Sequence, residues 1–267
     1  MEPQTSIGGL IQTWRRARRM SQLDLAGESG ISTRHLSFVE SGRARPSRGM
    51  VLRLSAALRV PPRAENELLL VAGFAPSRRE TAYEAPEMAE ALAAVRMLLA
   101  RHDPYPAVAL DPRWDIVMAN AAYAASVNAC GTAALGRPPI EPMALVTAPR
   151  PNVVRLLCHP DGFRHQIANW EEVVQDIVDR VRREIGRDGD GARRTLLDEA
   201  LAQPGMPALA ASAATSPVAL IVPVELRVGH EIHRFFSTIA TLGTAQDITL
   251  KELRIETLHP MADRDGQ

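Results

Sequence analysis

Apolar residues in the first 75 positions recur three and four apart, the spacing of one helix face. Ile7, Leu10, Ile11 and Trp14 predict a helix from about Gly8 to Arg19, with Met20 plugging its junction with the next element. From Ser21 to Gly42 the pattern predicts two short helices joined by a tight turn. Ser21 reads as an N-cap with Asp24 in the place of a capping-box acid, Gly30 punctuates the turn, and Ser32 caps the second helix. Leu23, Ala26 and the small Gly27 supply a close-packing face in the first of these helices. In the second, Leu36 and Val39 turn inward with Ile31, leaving Thr33, Arg34, Ser37 and Phe38 outward. Pro46 and Ser47 open a fourth helix carrying Val51, Leu52, Leu54 and Leu58; Pro61-Pro62 stops it, and Glu65 to Val71 makes a fifth.

The polar, proline-containing stretch 75–87 reads as a linker, so a helical domain over 1–75 and a linker over 76–87 are expected. A second domain over 88–260 and a tail over 261–267 complete the division. Met88, Leu92, Val95 and Leu99 form a helical seam from Glu87 to about Arg101. That seam fits either a helix packed on the second domain or a lever or dimer helix. Ala107–Leu110 and Trp114–Met118 read as two strands around an Asp111-Pro-Arg turn, and Asn120 caps a helix of small residues. Trp170 to Ile185, capped by Asn169, puts Val173, Val174, Ile177, Val178, Val181 and Ile185 on one face; a further helix covers about Ala192 to Ala202. Strands are expected over Pro217–Leu226, Ile232–Leu242 and Leu250–Leu258, the first interrupted or at an edge because of Pro223. A hairpin leading into helices, with strands at the far end, resembles a PAS-type sensor fold. The expected fold class is thus an all-α five-helix domain followed by an α+β PAS-like domain with an antiparallel sheet.

Composition narrows the functional classes. At 46% hydrophobic residues the 267-residue chain has ample material for packed cores. No run of 18 apolar residues exists and no signal-peptide pattern opens the chain, so a cytoplasmic protein without membrane association is expected. Cys130 and Cys158 are too few for a disulfide framework or zinc motif, and Cys158-His159 lacks a second ligand pair, so no metal is expected. The zero net charge hides an asymmetry: residues 1–80 hold 13 Arg against 7 acids, and the remainder holds 18 basic against 24 acidic residues. A basic head on an acidic body is expected where phosphate neutralisation is confined to one domain.

The helical pair 21–42 supplies what a major-groove reader needs. Arg34 is a bidentate donor, Thr33 and Ser37 carry hydroxyls, and Phe38 is apolar enough for thymine methyls. The helix lengths, the turn glycine, the Ser-Gln start and the closing Glu-Ser-Gly resemble the phage-repressor-like, Xre-type DNA-binding domain. By that resemblance Gln22 would touch phosphate or a flanking base, while Arg43, Arg45 and Arg48 would hold the backbone of double-stranded DNA. Arg15 and Glu40 stand where the family pairs its first helix with the end of the recognition helix. His35 reads as a partly buried packing residue.

In the body, His159-Pro-Asp-Gly, Ile167-Ala-Asn-Trp-Glu-Glu-Val and the run from Phe236 to Thr257 are similar to the MmyB-like regulator family. With the head, the resemblance spans about residues 6–260. It implies a PAS-like domain that binds a small apolar ligand of the long-chain fatty-acid kind, with no other cofactor. Leu242 and Leu258 stand where the family often has phenylalanine. An apolar chain needs aliphatic and aromatic walls and a few polar groups for its head. Trp114, Ile116, Met118, Val174, Ile177 and Phe236 are candidate walls; Asn120, Arg155, His159 and Asn169 are candidate head contacts. Asn120 and Asn169 compete for these roles as helix caps, and His159 as a fixture of the Pro-Asp-Gly turn.

The leading expectation is a ligand-modulated transcription regulator acting as a homodimer on a two-fold operator. The alternative keeps DNA binding and makes the body a dimerisation or protein-partner module. An enzyme is not expected: the body has no Gly-rich phosphate loop, no Gly-x-Ser-x-Gly elbow and no His-Glu-x-x-His motif.

Overall fold

A computed structural model of the chain describes residues 6–131, 134, 136, 139–188, 191–206 and 221–261. The chain divides into two compact units, and the division falls between Glu80 and Thr81. The head holds five helices: α1 (Ile7–Ala17), α2 (Gln22–Ser29), α3 (Thr33–Glu40), α4 (Arg48–Ala57) and α5 (Pro62–Val71). Serines start the first four of them, at positions 6, 21, 32 and 47, each side chain accepting a backbone N–H of the first turn. At Ser21 the box is reciprocal. Asp24 N–H donates to Ser21 Oγ at 3.1 Å, and Ser21 N–H donates to Asp24 Oδ2 at 2.8 Å. Gly30 closes α2 in the left-handed conformation at φ 65°.

Ile11, Leu25, Leu36, Val39, Val51, Leu54, Leu58, Leu68 and Leu69 make the core of the head. The expected packing face of α2 is corrected here: Leu23 is 71% exposed, and Gly27 is exposed with open space around it. Ala26 is buried as expected, and because the capping box sets the phase of α2, Leu25 and Ser29 turn inward with it instead. The close backbone approach lies at Gly8, where a Cβ would sit 2.6 Å from Glu40 O and closer still to Val39 O. Pro61-Pro62 does not end α4, which stops at Ala57; it opens α5, with a proline where the missing N–H costs nothing.

The stretch expected to be a linker, residues 76–87, is tied down on each side. Buried Asn66 accepts the N–H groups of Ser77 and Arg78 at 3.0 and 3.2 Å and donates to Arg78 O at 2.9 Å. On the body side, Thr81 donates to Asp247 at 2.7 Å, and Tyr83 is buried beneath Arg150.

The body is built on a five-stranded antiparallel sheet of β1 (Ala107–Leu110), β2 (Ile116–Ala119), β3 (Val224–Val228), β4 (Glu231–Thr241) and β5 (Arg254–Pro260). The strand order is β2-β1-β5-β4-β3, so the early hairpin joins the late strands through β1 and β5. Among the described residues six helices accompany the sheet: α6 (Ala89–Ala100), α7 (Ala121–Asn128), α8 (Val153–Cys158), α9 (Trp170–Asp188), α10 (Gly191–Leu201) and α11 (Ile248–Glu252). Val108, Leu110 and Ile116 pack with Val174, Val178 and Val181 of α9 in one cluster. Ala107, Ala109, Met118 and Ile255 pack with α6 in another. The seam Met88, Leu92, Val95 and Leu99 is buried in that second cluster, which decides for a helix packed on its own domain.

Three local differences from the sequence pattern have clear causes. Residues 248–252 are helical because Asp247 caps them, accepting Thr249 N–H at 2.9 Å, so β5 starts only at Arg254. Helix α8 was not anticipated; five of its six residues are buried, so it shows no amphipathic period. Trp114 is not a strand residue but the last of the turn, at φ 69°. Of the strand expected over 217–226, positions 217–220 lie outside the described residues, and β3 begins at Val224.

Gly8→Ala is expected to destabilise the head by about 1–3 kcal/mol through overpacking. Gly27→Ala, in open space on a helix, should instead stabilise by about 0.5–1 kcal/mol. Urea unfolding midpoints of the two full-length variants check the opposite signs.

Candidate functional site

The recognition face is held from behind by one carboxylate. Glu40, at the C-terminus of α3, accepts Arg15 Nε at 2.7 Å, a second Arg15 N–H at 2.8 Å and the Gln22 amide at 2.8 Å. Arg15 also donates to Met20 O at 2.9 Å, so α1, α2 and α3 share one polar joint. Burial works to raise the Glu40 pKa, but Arg15 and Gln22 outweigh it and hold the carboxyl below its ordinary value. The Glu40 side chain is only 2% exposed, as expected of an ion that is paired. Gln22, expected at the DNA, thus spends its amide N–H on Glu40.

On the outer side of α3, Thr33, Arg34 and His35 are exposed, and Ser37 and Phe38 are half-buried. Exposed His35 corrects the expectation of a packing residue. The Arg34 guanidinium lies 5.5 Å over the Phe38 ring, which orders a side chain that would otherwise be free. Arg43, Arg45 and Arg48 are all exposed on the α3–α4 connection, whose start is pinned by Arg43 N–H donating to Phe38 O at 2.8 Å. Between the N-termini of α3 and α4 lies an open notch of about 440 Å³, lined by Ser32, His35, Arg45, Ser47 and Arg53 among others. Two helix N-termini and two arginines at one notch favour an anion. Arg53 and His35 line this notch but were not among the expected DNA-facing residues, because α4 was read for its apolar residues and His35 as packing. Their signal was a polar side chain within the first two turns after a serine cap.

The candidate ligand residues do not converge. Trp114 is fully buried between the guanidinium groups of Arg180 and Arg254, 4.7 and 4.5 Å from its ring, and donates to Glu184 at 3.0 Å. Ile116, Val174 and Ile177 belong to the same core cluster, with Ile177 only partly buried. Met118 lies in the other cluster, beneath α6, and Phe236 stacks on His259 with ring centroids 5.0 Å apart. Asn120 is fully buried; it accepts Ala107 and Tyr123 N–H and donates to Asp103 and Tyr105 O, so its polar atoms are spent. Asn169 pins β3, accepting Glu225 N–H at 3.0 Å and donating to Pro223 O at 2.8 Å. These residues do not line one pocket: Ile116 and Met118, two apart on β2, fall in different clusters because the β1–β2 register shifts between Ala109 and Leu110.

Arg155 and His159 do meet, in a cleft of about 730 Å³ also lined by Arg113, Asp115, Arg150, Asn152, Arg193 and Glu199. Asn152 builds it, capping α8 while donating to Arg113 O and Asp115 at 2.7 and 2.8 Å. Burial pushes the Asp115 carboxyl up from the ordinary carboxylate range. Burial also pushes the thiols of Cys130 and Cys158 up to about 11, the reverse of a reactive thiolate. Among the described residues no cluster of three or more metal-capable side chains occurs, and no helix is long and apolar enough to cross a membrane.

Comparison with known proteins follows these two surfaces. Residues 91–267 match the model of the MmyB-like transcription regulator ligand binding domain, which is more than half of the chain. The chain belongs to that family. Residues 11–64 match a helix-turn-helix model, covering the helices that carry the recognition face. The families matched are regulatory rather than enzymatic. Uncharacterized HTH-type transcriptional regulators of Mycobacterium bovis and Mycobacterium tuberculosis are each 36% identical over 67 residues. Those stretches are 25% of this chain and 26% of each relative, so the chain spans about a quarter of the length of the relatives it matches.

Replacing Arg34 by Ala is expected to cost about 1–3 kcal/mol at a specific site and relax base choice, while Arg45→Ala or Arg53→Ala should weaken all sequences and lower the salt slope by about one. Fluorescence anisotropy on operator and random duplexes across salt concentrations separates the two. Because the Glu40 pKa is lowered on folding, its stabilisation is present above the ordinary value of 4.5 and is lost as pH falls through the lowered one. Acid unfolding of Glu40→Gln should therefore show a smaller stability loss below pH ~4.5 than the parent.

Proposed function

We propose that this protein is a sequence-specific, operator-binding transcription regulator whose body binds a small molecule that modulates DNA binding. The observation that carries the reading is the α3 face. Thr33, Arg34 and His35 are exposed beside three exposed arginines, while Leu36 and Val39 of the same helix are fully buried. Such a helix offers base-reading donors on a rigid support, with phosphate-binding charge alongside. The membership of residues 91–267 in a ligand-binding-domain family supports a sensing role for the body.

The finer terms of the proposal are these. The protein works in the cytoplasm as a homodimer on a two-fold operator, its recognition helices about 34 Å apart, one turn of duplex. Its ligand is a small apolar molecule of the fatty-acid kind. Such a ligand acts only through unequal affinity for DNA-competent and DNA-incompetent arrangements.

Native mass spectrometry of the purified chain, followed by denaturing extraction, is the test. A dimer carrying an adduct of fatty-acid size is the expected result. A clean apo mass that no added fatty acid shifts would remove the sensing role and leave DNA binding in place.

A further inference from the structure

We propose that the cleft formed by the β1–β2 turn, α8 and α10 binds a small molecule through a carboxylate or phosphate group, held by Arg113, Arg155 and His159. The proposal rests on the reading of the body as a ligand-binding module and adds the site and the chemistry it selects.

Charge is the first argument. The chain beyond residue 80 carries more acids than bases, 24 against 18, yet this cleft gathers Arg113, Arg150, Arg155 and Arg193 against Asp115 and Glu199. A local excess of guanidinium in an acidic domain focuses anions into the concavity. Arg150 is paired with Glu84 and Arg193 faces Glu184 at 3.8 Å, so the excess offered to a ligand rests on exposed Arg113 and on Arg155. Asp115 accepts from Asn152 at 2.8 Å, and Glu199 holds one N–H of Arg155 at 2.7 Å in a pair whose members are both more than half exposed. Solvent-exposed pairs of this kind are weak and readily exchanged for a better anion.

Donor inventory is the second argument. His159 Nδ1 accepts Asp161 N–H at 3.0 Å, so the neutral imidazole carries its proton on Nε2 and presents a donor. Arg155 has N–H groups beyond the one given to Glu199, and the exposed Arg113 adds a guanidinium fork. Guanidinium forks match the planar oxygens of a carboxylate or the face of a phosphate. The floor is mixed rather than purely polar, with Leu196 and Ala200 on the α10 side. At about 730 Å³ the cleft lies within the range of small-molecule sites.

The test is isothermal titration of delipidated full-length protein with decanoate, decan-1-ol and inorganic phosphate. It is run on the parent, on Arg113→Gln/Arg155→Gln, and on Glu199→Gln. All three substitutions are at exposed side chains. The double variant should bind the anion about tenfold more weakly. Glu199→Gln, which frees Arg155, should bind it about two- to fivefold more tightly, an opposite sign that loss of folding cannot produce. Decan-1-ol should be insensitive to either change. Decanoate binding points to an acid-headed chain; phosphate binding without decanoate binding points to a phosphorylated molecule. Anion binding by the parent that neither variant alters, or no binding of either anion by the parent, overturns the proposal. Operator affinity measured alongside separates the two readings. If decanoate shifts it equally in all three proteins, the ligand-responsive reading stands and the cleft falls. If the arginine-dependent binding occurs with no shift, the cleft stands and the responsive reading falls.

Discussion

The head depends on a single buried carboxylate. Glu40 ends the recognition helix and is bound by Arg15 of α1 and Gln22 of α2, so the orientation of the reading face is set by three hydrogen bonds on one residue. The joint works because Gly8 lets α1 approach the carbonyls of Val39 and Glu40 without a side chain between. A charge removed from water at this point would be costly alone; with a two-pronged guanidinium and an amide on it, it locks an angle that apolar packing leaves soft. Outward from that lock, Arg34 resting on Phe38 presents an ordered donor to solvent.

The body has a comparable device in Trp114. Its indole is clamped between Arg180 and Arg254 and hydrogen-bonded to Glu184, while Arg254 also donates to Glu184 at 2.6 Å and to Asp111 O at 3.1 Å. The stack joins the β1–β2 turn, α9 and β5, three segments far apart in the chain. It also explains why Trp114 is not a ligand wall: both ring faces are already covered. The neighbouring turn, tied by Asn152 to α8, is what shapes the rim of the arginine cleft.

Much of this was legible in the residues. The serine starts at 21, 32 and 47, the Ser21–Asp24 box, Gly30 and the inward Leu36 and Val39 are local rules, and each is realised within a few residues of where it is written. The single-sided apolar face of α9 was equally plain. Less legible was α8, whose run Val-Val-Arg-Leu-Leu-Cys shows no period because every residue but Arg155 is buried. The ties of the linker were not written locally either: one buried amide, Asn66, holds Ser77 and Arg78.

The sequence by itself determined the helical head, its reading face, the early hairpin and the long amphipathic helix of the body, and the net basic balance of residues 1–80. Those properties follow from spacing, capping and composition, which act over one or two turns. Tertiary structure alone decided which titratable side chains share a concavity. Asn120, Asn169, Met118 and Phe236 looked as eligible for a ligand as Arg155 and His159 did, since residue type was all that could be weighed. The register shift in the β1–β2 pair, which puts Met118 beneath α6, the stacking of Phe236 on His259, and the hydrogen bonds that consume Asn120 and Asn169 removed the first group. The packing of α8 against α10 brought Arg155 and His159 to one cleft with Arg113, a meeting of residues up to 46 positions apart that no local pattern encodes.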